Sequence, residues 1–408
     1  MRIAKITMAV VATTSLFALA GCAGDAATGS SDDPITIGWS LQLSGPIGPG
    51  SEYMVTAAQK AVDDINEAGG VHVDGTSRPL ELKVIDNRSE VPTVTDQTRS
   101  LILEDEVDAL FGPVITEFSV AGAAIAEQYS IPYFISSSPI DGFRAANPSG
   151  WTYAWNLFSS EKTQAETAVA GMVAADSNKK VALFSDTSND GVTQHDTYVA
   201  ELETNGFEIV ADATFPLNTT DFSAAVTEAK ASGADIAIAI TFPVDGGNLI
   251  KEFKAQQFAP KIAQFPKSAD GALWPGIAGT LGVGALGTGT WGVEDRGEGA
   301  EELDAYMTDA GAPVPLIAQG AHYYALVQFY AAAIEAAGST DPAAVNDVIP
   351  TLTVDTVSGP VHFTDENVSE IPVYTWQWTG TTAEDMTPVQ VFPNIGTALV
   401  TPPPGLAG

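Results

Sequence analysis

From residue 35 onward, short runs of β-branched and apolar residues alternate with segments in which apolar positions recur every three or four residues. A bounded apolar run fits a strand buried on both faces, and the three-to-four spacing fits a helix with one buried face. ITIGWSL at 35–41 is the first strand. After the loop QLSGPIGPGS, Met54, Ala57, Ala58, Ala61 and Ile65 fall on one helical face, and Gly69-Gly70 ends the helix. LELKVID (80–86), ALFGP (109–113) and PYFISS (132–137) are further strands, separated by helices near 92–106 and 119–130. Alternation of this kind predicts a parallel sheet with crossover helices, one doubly wound α/β lobe.

The stretch NPSGWTYAW (147–155) interrupts that rhythm, and a second series begins after it. Its strands are VALFSD (181–186), EIVADATF (208–215), IAIAITF (236–242) and KIAQF (261–265), with helices near 163–176, 191–206, 221–232 and 246–258. A second lobe of similar design is expected, which suits a chain of 408 residues and 45% hydrophobic content. After residue 285 come ALGTGTW, a long helix from about 316 to 337, a shorter one near 342–352, and then VHFTD and VYTWQW. These pieces are too few for a third domain. They are expected to complete the two lobes, so the chain crosses between lobes more than once and forms a hinge.

The first 34 residues follow different rules. Arg2 and Lys5 precede the apolar run Ile6 to Ala20, and Leu19-Ala20-Gly21-Cys22 follows, so 1–21 reads as a signal peptide. Cys22, the only cysteine, excludes an internal disulfide and a multi-cysteine metal site. Its context resembles the lipobox of bacterial lipoproteins, which implies lipidation at Cys22 and an extracytoplasmic protein anchored to the cell membrane. Residues 23–34, small and polar, complete a flexible lipidated tether over 22–34. No later segment offers ~20 consecutive apolar residues. With 17 Lys and Arg against 51 Asp and Glu, the net charge of −34 excludes nucleic acid as a partner.

Five stretches carry a resemblance to the type I periplasmic binding proteins of the leucine/isoleucine/valine-binding class. They are SLQLSGPIGPGSEYMVTAAQKAVDDINEAGG (40–70), ELKVIDN (81–87), DALFGPVITEFSVAGAAIAEQYSIPYFISSS (108–138), TDFSAAVTEAKASGADIAIAITF (220–242) and VDTVSGPVHFTDE (354–366). The resemblance implies two Rossmann-like lobes joined by three crossovers, with lobe 1 over 35–154 plus 288–360 and lobe 2 over 155–287 plus 361–400. It further implies a small-molecule ligand held between the lobes of a monomer, and closure that presents the protein to ABC permease subunits. Strand carboxyl ends and helix N-termini are where such sheets receive ligands.

The same resemblance selects the candidate ligand residues. Thr116 matches a hydroxyl position for a ligand carboxylate, with Glu117 beside it, and Ser136, Ser137 and Ser138 end the next strand where the carboxylate is also held. Pro139 replaces a second hydroxyl of the amino-acid binders. In lobe 2, Asp190 and Phe242 stand at positions where the family places aromatics; Asp190 offers an acceptor for an ammonium or hydroxyl, or else belongs to a turn with Gly191. The amino-acid binders carry a glutamate after the strand corresponding to KIAQF, where this chain has Pro266-Lys267. A lysine facing the cleft repels an ammonium and favours a carboxylate, whereas a solvated loop lysine does neither. Trp39 and Trp291 are candidates for stacking on a ligand or for packing. Ser44, Tyr53 and Gln319 lie near other cleft positions of the family.

No phosphate loop, zinc-protease motif or serine-nucleophile elbow is present, and His72, His195, His322 and His362 lack ligand spacing. The expectation is a binding protein without catalysis, cofactor or metal. An organic acid, aromatic acids included, or an amide is the leading ligand class, with an aliphatic amino acid as the alternative. A ligand sensor without a permease is the alternative role.

Overall fold

The computed structural model describes residues 29–30, 33–292, 296–393 and 396–407. In chain order the first part holds β1 (Gly29–Ser30), β2 (Ile35–Leu41), α1 (Ser51–Glu67), β3 (Val71–Val73), β4 (Thr76–Arg78), β5 (Leu80–Asp86) and α2 (Val91–Leu103). There follow β6 (Ala109–Phe111), α3 (Thr116–Tyr129), β7 (Tyr133–Ser136), α4 (Ile140–Ala146) and β8 (Ala154–Phe158). The middle part is α5 (Glu161–Ala174), β9 (Lys180–Asp186), α6 (Asn189–Thr204), β10 (Glu208–Phe215), α7 (Ser223–Ala231), β11 (Ile236–Ile240), α8 (Pro243–Ala255), β12 (Ile262–Gln264), α9 (Trp274–Ala278) and β13 (Leu286–Gly289). The last is α10 (Ala300–Asp309), α11 (Val314–Ala337), α12 (Pro342–Val348), β14 (Val354–Thr356), β15 (Gly359–Val361), β16 (Val368–Glu370), β17 (Tyr374–Thr379) and β18 (Thr387–Phe392).

Two sheets organise these elements. The first has the order β16-β8-β7-β6-β2-β5 with every pair parallel, and the second the order β10-β9-β11-β12-β13-β17-β18, antiparallel only at β13-β17-β18. Helices cover both sheets, which is why strands such as IAIAI are buried at every position. The chain passes from the first sheet to the second between β8 and β9, returns between β13 and β16, and passes again between β16 and β17. The α/β fold with two lobes and three crossovers is therefore as expected.

The boundaries differ from expectation. Residues 155–158 belong to β8 of the first sheet, not to lobe 2, because Trp155 and Leu157 pack in the first core. Residues 288 and 289 belong to β13 of the second sheet. The last passage lies between Glu370 and Tyr374, not near 360, since β16 adds a parallel edge to the first sheet beside β8. VHFTD forms no strand of its own; only Val361 pairs, in the β14–β15 hairpin. Within the tether, Gly29 and Ser30 pair with Thr76 and Ser77 of β4, so that part is docked on lobe 1. Cys22 and the signal-peptide segment lie outside the described residues.

Lobe 1 is closed by α1 packing on α11, with Met54, Ala57, Ala58 and Ala61 buried against Ala318, Ala321 and Ala325 in one core. Small residues on both helices let their axes approach. Gly50, before α1, has φ +95°, and a Cβ there would lie 2.5 Å from Leu316, so the turn into α1 needs glycine on two counts. His322 of α11 is fully buried at the second passage, with Nε2 3.0 Å from the Thr290 hydroxyl and Nδ1 3.4 Å from that of Ser358. Burial pushes its pKa down to about 3, so it links helix and crossover as a neutral ring.

Candidate functional site

Parallel sheets bring loops and helix N-termini together at their carboxyl edges, and here the two edges meet. The short α4 of lobe 1 packs against α6 of lobe 2, and Asp190 of α6 feels the charge of Glu117 on α3. These elements are where the two lobes face one another.

On the lobe 1 side the loop after β6 leads into α3, whose first residue is Thr116. The Ser138 hydroxyl donates to Thr116 Oγ1 at 3.2 Å, and the Ile115 N–H donates to the Ser137 carbonyl at 3.2 Å, so the two loop ends are fastened together. Ile115 has φ +71° and Ser137 φ +58°, an unfavourable region for both, and the β-branched Ile115 is the more strained. Strain of this kind gathers where a loop is held for binding. The hydroxyls of Ser136 and Ser137 are buried without a hydrogen-bond partner among the described residues, as is the whole Gln42 amide just beyond β2. Thr116, Ser136, Ser137 and Ser138 are thus brought together; Glu117 is exposed beside them. Gln42 was missed in the sequence, although its place right after a buried strand was a signal.

On the lobe 2 side, Lys267 overturns both sequence readings. Its Nζ lies 2.9 Å from Asp186 Oδ2 and 3.4 Å from the Ser188 hydroxyl, and it stands 3.9 Å from the centre of the Phe242 ring. The side chains of Lys267 and Asp186 are 7% and 0% exposed. Lys267 is neither a solvated loop lysine nor a free cation facing the ligand; Asp186 answers its charge. Asp186 also accepts the N–H of Ser188 at 3.0 Å, and Ser188 caps α6 through the Gly191 N–H at 3.0 Å. Asp190, in the first turn of α6, has its pKa raised by burial, with Lys267 pulling it down and Asp186 and Glu117 pushing it up. Asp245, on α8, is also raised by burial; one of its oxygens accepts the Asn218 N–H at 3.0 Å. Burial pushes Asp270 up to about 8. Phe242, Lys267 and Asp190 therefore share one wall, with Asp186 as the member that sequence reasoning missed.

The remaining candidates lie elsewhere. Trp39 is fully buried, its ring 4.3 Å from that of Tyr323 and its Nε1 donating to the Gly112 carbonyl at 2.9 Å. It is a core residue of lobe 1 and not a stacking platform. Trp291 donates to Asp304 Oδ1 at 2.8 Å and packs near the second crossover. Ser44 donates to Asp86 Oδ2 at 2.6 Å, which fixes the loop after β2. Tyr53 on α1 packs against the lobe 1 core, and Gln319 is half-buried on α11.

Two α/β lobes joined by three crossovers, with polar residues at facing strand ends, are the architecture of a hinged binding protein. The sequence profile of the periplasmic binding proteins matches residues 34–382, and the chain belongs to that family. Within it the chain falls in the type I, branched-chain amino-acid class. It is 26% identical over 311 residues to a Leu/Ile/Val-binding protein homolog of Brucella melitensis, covering 76% of this chain and 81% of the relative. An amino acid binding protein of Pseudomonas aeruginosa is 24% identical, with coverage of 80% and 86%. The fold is similar to that of the LivJ substrate-binding protein of Streptococcus pneumoniae, solved with isoleucine (TM-score 0.73, 23% identity, 88% of this chain and 100% of that one). It is also similar in fold to a solute-binding protein of Rhodopseudomonas palustris solved with 3,4-dihydroxybenzoic acid (TM-score 0.70, 17% identity, 92% and 100%). Members of this family are extracytoplasmic substrate-binding proteins of ABC transporters, bind small molecules, work with permease subunits and are not enzymes.

Proposed function

We propose that this chain captures a small organic solute bearing a carboxylate in the interlobe cleft, as a monomer held at the membrane through a lipidated Cys22. The observation that carries the ligand class is the hydroxyl group of Thr116 with Ser136, Ser137 and Ser138 at the start of α3. Two of these hydroxyls are buried without a partner among the described residues, and buried donors of this kind are costly unless a ligand uses them. An anion there gains the exposed N–H groups of the first turn of α3.

The pairing of Lys267 with Asp186 removes the objection to an ammonium on the ligand. Asp190 supports a second reading, in which the solute also carries a donor such as the ammonium of an amino acid, a hydroxyl or an amide. A thermal-shift screen of aliphatic and aromatic carboxylates, amino acids and amides separates the readings, since a ligand at 100 times its Kd adds about 2.7 kcal/mol. Shifts by carboxylates without an amine support the first reading; shifts confined to amino acids, lost in Asp190→Asn, replace it with the second. Shifts by amides alone reject both.

A further inference from the structure

The chain that leads from Cys22 into lobe 1 is fastened before β2 begins. Gly29 and Ser30 form β1, a parallel third strand beside Thr76 and Ser77 of β4. Arg78, the next residue of β4, closes over Asp33 and Pro34. Its Nε donates to the Asp33 carbonyl at 2.9 Å, and one terminal nitrogen donates to the Pro34 carbonyl at 3.0 Å and to Asp33 Oδ2 at 3.4 Å. The other terminal nitrogen donates to the Thr340 hydroxyl at 3.3 Å, just beyond α11, so the clamp is itself fixed to lobe 1. The Arg78 side chain is 18% exposed, which leaves these donors little water to turn to instead.

The direction of β1 decides where the free part begins. Because β1 runs parallel to β4, the chain going back toward Cys22 leaves beside Thr76, at the tip of the β3–β4 hairpin. Ile35 and Leu80 are the first residues of β2 and β5, and the Ile35 N–H donates to the Pro79 carbonyl at 2.8 Å, so the hairpin stands at the amino edge of the lobe 1 sheet. The carboxyl edge faces lobe 2. The hairpin therefore marks the pole of lobe 1 farthest from lobe 2.

Seven Cα steps separate Cys22 from Gly29, a reach of roughly 25 Å at full extension. Were the chain free as far as Ile35, thirteen steps would reach roughly 45 Å. A lobe of about 200 residues is roughly 40 Å across. The free part is thus too short to pass around the lobe, whereas an unfastened tether could. Glu67, Asp74 and Asp341 are exposed around this pole, so charge does not draw it to an anionic surface.

We propose that the docked tether holds lobe 1 by its β3–β4 pole against the lipid surface, with lobe 2 as the outer lobe that moves. This orientation rests on the lipidated Cys22 of the proposed function.

Energy transfer from a single dye to acceptor-labelled lipid reads the orientation. The full-length protein, matured with its lipid, is placed in phosphatidylcholine vesicles that carry a rhodamine-labelled lipid. Fluorescein maleimide is attached at Glu67→Cys, beside the hairpin, or at Glu203→Cys, at the amino edge of the lobe 2 sheet. Both positions are exposed in the last turn of a helix. Transfer from Glu67→Cys is expected to exceed that from Glu203→Cys at least twofold. Arg78→Ala combined with Gly29→Pro and Ser30→Pro, which removes the clamp and both strand donors, should cut that difference by half or more. A twelve-residue Gly-Ser insertion after Asp25 should do the same with the dock intact, so the outcome does not hang on the folding of the first variant. Equal transfer from both dyes overturns the orientation, and so does a difference that persists undiminished in either variant. Vesicle flotation and dye uptake by the unsubstituted protein check the anchor separately. Cys22 is the only cysteine, so a protein that fails to float and takes up dye has a free thiol there. That result removes the anchor, and the orientation with it.

Discussion

Replacing Lys267 with alanine leaves Asp186 charged in a site with no exposure of its side chain. Removing one partner of a buried pair costs roughly 3–5 kcal/mol, because the remaining charge stays desolvated. Asp186 keeps the Ser188 N–H and hydroxyl as donors, which places the expectation near the lower end, about 3 kcal/mol. For a lobe of this size that corresponds to a fall in Tm of roughly 6–12 °C. Urea unfolding followed through tryptophan fluorescence reads the loss, with Trp274 and Trp378 reporting the lobe 2 core. The double variant Lys267→Met with Asp186→Asn should recover most of it, since no charge is left alone. A loss below about 1 kcal/mol in Lys267→Ala, the range of exposed pairs, would refute the pairing and return Lys267 to the ligand or to solvent.

Trp39→Ala should cost about 3–5 kcal/mol in urea unfolding by opening a cavity beside Phe111 and Tyr323, with ligand affinity unchanged where the variant is still folded. Ser137→Ala should leave Tm unchanged, since its hydroxyl has no hydrogen-bond partner among the described residues, yet weaken the tightest carboxylate from the thermal-shift screen roughly tenfold or more, by titration calorimetry. Gly50→Ala should destabilise by about 1 kcal/mol or more in the same unfolding assay, from the left-handed backbone and the approach to Leu316.

Strands such as Ile35–Leu41, Leu80–Asp86 and Glu208–Phe215 were legible to the residue because a long β-branched or apolar run bounded by turn residues admits one reading. The lobe boundaries were not, because β8 and β16 pair with each other across more than 200 residues and periodicity does not say which sheet a strand joins. Short elements such as α4 and β16 carry too few residues to show a period. Trp39 was ambiguous for a related reason: a strand buried on both faces lacks the alternation that tells core from cleft. The hydroxyls proposed for the ligand were visible as a run of serines after a strand. The partner of Lys267 was not visible, since Asp186 lies 81 residues earlier and only the sheet order β9-β11-β12 brings the two strand ends together.

The threefold passage between sheets also governs the order in which the molecule can form. Lobe 1 lacks α11 and its edge strand β16 until residues 314–370 exist, and lobe 2 lacks β17 and β18 until residue 392. Neither half can finish as the chain emerges from the ribosome, and the packing of α1 on α11 closes a loop of some 250 residues. Folding is thus dominated by distant contacts and cannot be completed before these late segments exist, so both lobes stay unfinished until nearly the last strand is made.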